Sequence, residues 1–288
     1  MKVSLGSWDF ILSSLKDEHQ RAVDTYFKDQ VSDTKLIVEL KNEGGKSLFL
    51  KLNSSVGERG LSLLGSNEKD YHFFGDFFET FDARNLSSVV EEKRIDNIKI
   101  SLLSLEGASL LQEKFRVALP NFDFHINLNS ISPFIKKENL VTLRRSYARQ
   151  LNLIGNRGWK IEVVNEVPRE AVLFHQERWG ENRGPDFFNY LNFLNKGGYS
   201  RSYILSGNGN VIAYIQNIIT SSVSHYYYSI YDQKFPGSGT SVIASMLDNF
   251  TNDDALEYFS FGRGAERYKY DWANGVVKNF ELRGFLIS

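Results

Sequence analysis

The sequence predicts a mixed α/β (α+β) protein of two tandem lobes, each a mixed, mostly antiparallel sheet flanked by helices. Three observations carry that expectation. Segments of helical period and of strand period are interspersed through both halves of the chain. Aromatic residues make up 14% of the sequence, with 22 Phe and 14 Tyr, a composition that suits β-rich or mixed folds and opposes disorder. The 288 residues suffice for two domains of ordinary size. No Pro/Ser-rich linker divides the halves, so the junction near residues 120–135 is expected to be closely packed, with lobes over 1–125 and 126–288.

The apolar spacing of Phe10, Ile11, Leu15, Ala22, Val23, Tyr26 and Phe27 predicts one or two opening helices over residues 8–30. Lys35–Leu40 and Ser47–Leu52 read as strands around a Gly44-Gly45 hairpin turn, with Gly60–Gly65 a further short strand. Leu86–Glu92 reads as helix, Asn97–Leu102 as strand and Gly107–Phe115 as helix. Lys137–Asn152 is expected as a basic amphipathic helix, with Leu140, Leu143, Tyr147 and Leu151 on one face and Gly155 closing it. A strand over Trp159–Val164 precedes helices over Arg169–Trp179 and Phe187–Leu194. Strands over Ser200–Leu205, Val211–Ile219 and Ser224–Tyr231 then run in succession, the first two joined by a Gly207-Asn-Gly-Asn210 turn. A helix over Ser241–Phe250, a strand over Glu257–Phe261 and a short αβ unit finish the chain.

Composition excludes several function classes. A net charge of −1 supplies no field to draw in nucleic acid. The basic run from Lys136 and Lys137 through Arg144, Arg145 and Arg149 reads as a solvated helix face. With no cysteine there is no disulfide, no Cys-ligated zinc and no thiol nucleophile. Met1–Phe10 lacks a signal-peptide run, and nowhere do about eighteen apolar residues follow one another, so a cytoplasmic protein without membrane insertion is expected. The sequons at Asn53, Asn85 and Asn249 then carry no meaning. Gly-x-Ser-x-Gly, His-Glu-x-x-His and Walker signatures are absent, and five dispersed histidines suggest no metal.

The most informative stretch runs from Tyr227 to Leu247: an aromatic strand, a glycine-punctuated turn and an amphipathic helix. A glycine turn feeding a helix start leaves backbone N–H groups unpaired, a receptor for phosphate oxygens. Lys234-Phe-Pro-Gly237-Ser-Gly239 resembles the pyrophosphate loop of GNAT-type acyltransferases, Arg/Gln-x-x-Gly-x-Gly/Ala, with Lys in place of Arg or Gln. The order of two helices, antiparallel strands and then strand, turn, helix and strand is that of a single GNAT domain. On this resemblance Lys234, Gly237, Ser238, Gly239, Thr240 and Ser241 would hold acetyl-CoA or another acyl-CoA as co-substrate.

Tyr258-Phe-Ser-Phe-Gly-Arg-Gly-Ala-Glu-Arg-Tyr-Lys-Tyr-Asp-Trp272 resembles an ending found in the cellulose-biosynthesis (BcsL/CelD-like) branch of that superfamily, itself similar to Fem-type transferases. Leu64 to Tyr71, with its Asp70-Tyr71 end, the Leu143–Leu151 helix, Phe174-His175-Gln-Glu-Arg178-Trp179, and Tyr231-Asp232 followed by Gly239-Thr240 are similar to other elements of the branch. The resemblance spans about residues 60–275. Two departures stand out: Ser260 where the branch usually has Asp, and the longer Phe-Pro-Gly-Ser-Gly turn.

Without a thiol, an amine acceptor would attack the thioester directly in a ternary complex. That chemistry asks for an oxyanion-stabilising backbone N–H, expected at the splayed strand edge after Tyr228, a route for the ammonium proton, and an acid for the thiolate. The resemblance gives the acid role to Tyr268, which otherwise reads as a packing tyrosine. Asp232 is either a base or a strand-terminating turn residue. His175 and Trp179, four apart, are either a packing face or part of the acceptor site. Arg263, Glu266 and Lys269 either grip phosphate or sugar hydroxyls or are solvated charges, and Asp70 and Tyr71 would close the acceptor pocket. The expected function is acyl-CoA-dependent, metal-free N-acylation of an amino sugar, nucleotide- or lipid-linked, for surface polysaccharide, with a homodimer allowed. A Fem-like aminoacyl transferase and an inactive scaffold of a glycan-assembly complex are the alternatives.

Overall fold

The computed structural model describes residues 37–41, 47–55, 58–63, 84–138, 144–180, 185–219, 222–262, 264 and 266–287. The expected opening helices, the Gly44-Gly45 turn, Asp70, Tyr71 and Arg263 lie outside these. The chain divides into two compact units: Met1–Ser132 with Arg263–Ala265 and Val276–Ser288, and Pro133–Gly262 with Glu266–Gly275. Both are α/β, with mixed, mostly antiparallel sheets and helices between the strands.

In the first unit β1 (Ile37–Lys41), β2 (Ser47–Ser55) and β3 (Glu58–Leu63) form an antiparallel meander. Helix α1 (Arg84–Lys93) leads into β4 (Asn97–Leu103), parallel to β3. Helix α2 (Leu105–Ala118) opens on Ser104, whose hydroxyl accepts the Gly107 amide at 2.9 Å and so satisfies an otherwise orphaned first-turn donor. The final strand β11 (Gly275–Leu286) runs antiparallel to β4 and lies between it and β5 (Phe122–Lys136). Ile98, Ile100, Leu111, Phe115, Phe124 and Leu282 form the buried apolar side. A buried carboxylate, Glu281, accepts from Asn129 Nδ2 at 2.9 Å and pairs with Lys99 and Arg283.

The second unit begins with the end of β5 and continues through α3 (Arg144–Asn156), β6 (Lys160–Val164), α4 (Arg169–Trp179) and α5 (Pro185–Lys196). An antiparallel run follows, β7 (Ser200–Gly207), β8 (Asn210–Ile219) and β9 (Val223–Tyr231). Helix α6 (Ser238–Asn252), β10 (Tyr258–Ser260) and α7 (Arg267–Trp272) complete it. Its strand order is β5-β10-β9-β8-β7-β6, and β10 is parallel to β9. Helix α6 is almost wholly buried, packing Val242, Ile243, Met246, Leu247 and Phe250 with Phe259 and Phe261.

Two segments differ from expectation. The stretch read as a junction is largely strand β5, its early half alternating buried Phe122 and Phe124 with exposed Asp123 and His125. The helix expected from Lys137 starts at Arg144 among the described residues; β5 ends at Lys136, and Lys137 and Glu138 form a 3-10 turn at its end. Lys136 exchanges hydrogen bonds with the Asn274 side chain at 2.8 and 2.9 Å, and the Lys137 amide donates to the Glu257 carbonyl at 2.9 Å.

Candidate active site

The aromatic run Tyr226-Tyr-Tyr228 forms strand because bulky flat rings pack well on a pleated surface. Its register against β8 carries one extra residue: Gln216 faces Tyr228 and Asn217 faces Tyr226, leaving Tyr227 as a bulge. A bulge re-aims the side chains that follow it. Tyr227 and Tyr228 therefore both turn to the α4–α5 side, Tyr227 against Tyr190 and Tyr228 against His175 and Phe187. Tyr226 and Tyr231 instead pack with the α6 cluster, and Ser229 meets the Tyr226 hydroxyl at 2.5 Å. Gln216 is held at the bulge by a buried network with the Leu191 carbonyl, Asn195, Ser200 and Tyr214. Burial raises the Tyr214 phenol to about 12, so it remains a neutral donor within that network.

On its other edge β9 pairs with β10 only from Val223↔Tyr258 to His225↔Ser260. Past that point the ladder ends, and β9 runs on alone from Tyr226 to Tyr231. The chain after β10 swings into Gly262, whose amide donates to Ser260 Oγ at 3.2 Å, a local turn that Ser260 supports as Asp would. Tyr268, from the first turn of α7, donates to Tyr226 Oη at 3.4 Å across the parting. Tyr226, Ser229, Tyr231 and Tyr268 each keep part of their surface exposed, while His225, Tyr227, Tyr228 and Ile230 are buried. The opening thus carries a chain of three hydroxyls, Tyr268, Tyr226 and Ser229. Burial, reinforced by Tyr226, holds the Tyr268 phenol well above the ordinary tyrosine value, so it carries its proton at neutral pH.

Below the parting, His225 is 1% exposed. Burial, with the Lys269 ammonium adding repulsion, lowers its imidazole to about 3. Lys269 is itself buried and pairs with Glu266 at 2.9 Å. Because the unfolded histidine takes a proton near pH 6.5 and the folded one does not, stability present above pH 6.5 is lost as pH falls toward 3, by up to about 1.4 kcal/mol per pH unit. We expect His225→Gln to flatten that fall between pH 6.5 and 4.5, measured by urea denaturation. Parallel slopes for the two proteins would refute a neutral buried His225.

The turn after β9 separates the residues that sequence groups together. Asp232 Oδ1 accepts the Lys234 amide at 2.9 Å, the Phe235 amide donates to Asp232 O, and the Ser238 amide to Phe235 O. Gly237 takes the left-handed conformation, φ 87°, to start α6. The amides of Gly237, Gly239 and Thr240 make no hydrogen bond among the described residues. These, at the positive end of a fifteen-residue helix, are what the turn offers an anion. Ser241 is turned away, its amide bonded to Gly237 O and its hydroxyl to Gln150 at 3.3 Å. Lys234 is exposed at the turn. A Cβ on Gly239 would meet the Tyr231 ring at 2.9 Å, so glycine is required for the helix start to lie this close to the strand end. The residues present therefore fit a diphosphate beside a strand opening, as an acyl-CoA requires.

Of the expected acceptor residues, His175 is buried, its Nδ1 3.0 Å from Tyr228 Oη, and Trp179 tilts over it with centroids 4.8 Å apart. Trp179 is 37% exposed, with the Arg178 guanidinium 4.9 Å from its ring centroid. Glu266 is exposed at the start of α7. Tyr226 and Ser229 were not legible as site residues, since the bulge that aligns them leaves no mark in the alternation of the sequence. Among the described residues no group of side chains could hold a metal ion, and no helix is long and apolar enough to cross a membrane.

Residues 144–270 match the family described as acetyltransferase (GNAT) domain. The matched segment is a little under half of the chain. It covers α3 through most of α7, the elements that build the strand opening and the turn. No curated protein sequence matches the chain. Among solved structures, the chain is similar to one described as the C-terminal domain of a lysylphosphatidylglycerol synthetase from Agrobacterium fabrum. That likeness has 10% identity and TM-score 0.61, and covers 86% of this chain and 84% of that one. L-PGS from Bacillus licheniformis has 11% identity and TM-score 0.60, covering 94% and 93%. FemX has 9% identity and TM-score 0.57, covering 95% and 94%. At such identities these likenesses establish the fold.

Proposed function

We propose that the chain is an acyl-CoA-dependent N-acyltransferase, acetyl-CoA being the expected donor, with the second unit carrying the donor chemistry. The observation that carries this reading is the coincidence of two features in the GNAT segment. The β9–β10 ladder stops at His225 and Ser260, and the unbonded amides of Gly237, Gly239 and Thr240 lie just beyond the end of the same strand. A bound acyl-CoA supplies an acyl group as a thioester. The free edge of β9 receives it, with a backbone N–H past Tyr228 polarising the carbonyl, a contribution of about 3 kcal/mol. The acceptor amine loses its proton to water as the C–N bond forms. Tyr268 hydrogen-bonds the departing sulfur and passes it a proton as the C–S bond breaks, regaining the one that the water took from the amine through Ser229 and Tyr226. Asp232, engaged with its own turn, orients the loop.

The acceptor that fits the chain's resemblance is an amino sugar, nucleotide- or lipid-linked, of surface polysaccharide. Isothermal titration with acetyl-CoA tests the donor: saturable binding with about one site supports it, and no heat at millimolar donor rejects it. A second reading, aminoacyl transfer, is favoured by the fold likeness to FemX and to lysylphosphatidylglycerol synthetase domains. Under that reading aminoacyl-tRNA binds, with strong salt dependence, and acetyl-CoA does not.

A further inference from the structure

Arg178, in the last turn of α4, holds its guanidinium between two rings, 4.9 Å from the Trp179 centroid and 5.0 Å from that of Tyr231. Stacking of this kind suits a planar, weakly hydrated cation and fixes its direction before any ligand arrives. The side chain is exposed and makes no ion pair among the described residues. The same Tyr231 ring is the surface on which Gly239 sits, 2.9 Å from where a Cβ would be. One phenol ring therefore separates an ordered, unneutralised guanidinium from the first turn of α6. A further polar group belongs to that terminus. Ser238 is 0% exposed, and its hydroxyl has no hydrogen-bond partner among the described residues.

We infer that Arg178 is a phosphate ligand of the donor, completing the diphosphate site whose other half is the amide set of Gly237, Gly239 and Thr240. This rests on the acyl-CoA reading above. The chemistry requires such a partner: three backbone amides and a helix end supply partial charge, whereas a diphosphate brings full negative charges that a guanidinium matches with paired N–H donors. Lys234 at the turn is a point charge on a flexible stem, and the stacked Arg178 is the preorganised one. The Tyr231 ring at the strand end is the shared neighbour of the α4 terminus and of the helix start.

Titration of coenzyme A and of dephospho-coenzyme A into wild-type protein, Arg178→Gln and Arg178→Lys tests the assignment. Arg178→Gln should weaken both ligands equally, by about tenfold, equivalent to about 1.4 kcal/mol, and lower the salt dependence of binding by about one charge. Arg178→Lys should fall between the two. Equal affinity of Arg178→Gln and wild type overturns the inference. So does a loss confined to coenzyme A, which would place Arg178 on the 3′-phosphate instead. A loss of affinity accompanied by an equal fall of stability in both variants also overturns it, because the charge would then not matter. A wild-type protein that binds neither ligand defeats the donor reading itself, and this inference with it.

Discussion

Tyr268→Phe is expected to lower kcat about a hundredfold while leaving acetyl-CoA affinity within about twofold. The variant removes one oxygen from the hydroxyl chain Tyr268, Tyr226, Ser229 and nothing from the ring packed against the α6 cluster. Fold and donor site should therefore survive. The sign of the phenol's shift adds a second expectation. A tyrosine held above its ordinary value keeps its proton, so the wild-type rate shows no alkaline limb from Tyr268 below about pH 10. Steady-state kinetics with an amino-sugar acceptor read both. A fall of less than a few-fold in Tyr268→Phe would remove the residue from the proton path and leave it as packing.

Phe259→Ala is expected to destabilise the protein by about 3–5 kcal/mol, the usual cost of removing a fully buried ring. Phe259 is the middle residue of the three-residue β10, is 0% exposed, and packs edge-on to Phe261 at 4.9 Å and against Phe250 at 5.7 Å. Its backbone faces Ser224, the middle of the three rungs that join β9 to β10 among the described residues. Loss of the ring thus loosens the closed side of the opening as well as the core, and acetyl-CoA affinity should fall with stability. Urea denaturation followed by tryptophan fluorescence measures the first effect. A loss below about 1 kcal/mol would mean that the three-rung ladder is secured elsewhere.

Much of the second unit was legible because its signals are local. The helix Arg169–Trp179 is predicted with the bounds it has, and the three strands around the Gly207–Asn210 turn follow from alternation and turn chemistry. The helix after the glycine turn was readable, but it starts at Ser238, three residues ahead of the expected Ser241, with left-handed Gly237 as its cap. What escaped depends on contacts distant in sequence. Strand β5 hid in a stretch treated as a junction, although Phe122 and Phe124 alternate with polar neighbours. The helix start expected at Lys137 came from periodicity alone; Asn274 and Glu257, more than a hundred residues away, tie Lys136 and Lys137 to the sheet instead. Within the site, glycine spacing marks which residues form the turn but not which amides remain unbonded. Ser238 and Ser241 look equivalent to Thr240 in the sequence, yet the amides of the first two are consumed by Phe235 and Gly237.

The unpaired residue at Tyr227 works like a shift of reading frame. Upstream of it, even-numbered positions look one way; downstream, odd-numbered ones do. Were Tyr227 paired in an unbroken ladder, Ser229 and Tyr231 would swap sides with their neighbours, and the ring shared by Gly239 and Arg178 would point into the opposite layer. The face that each tyrosine takes is thus set by the break at Tyr227, and simple alternation along the strand misplaces every residue beyond it.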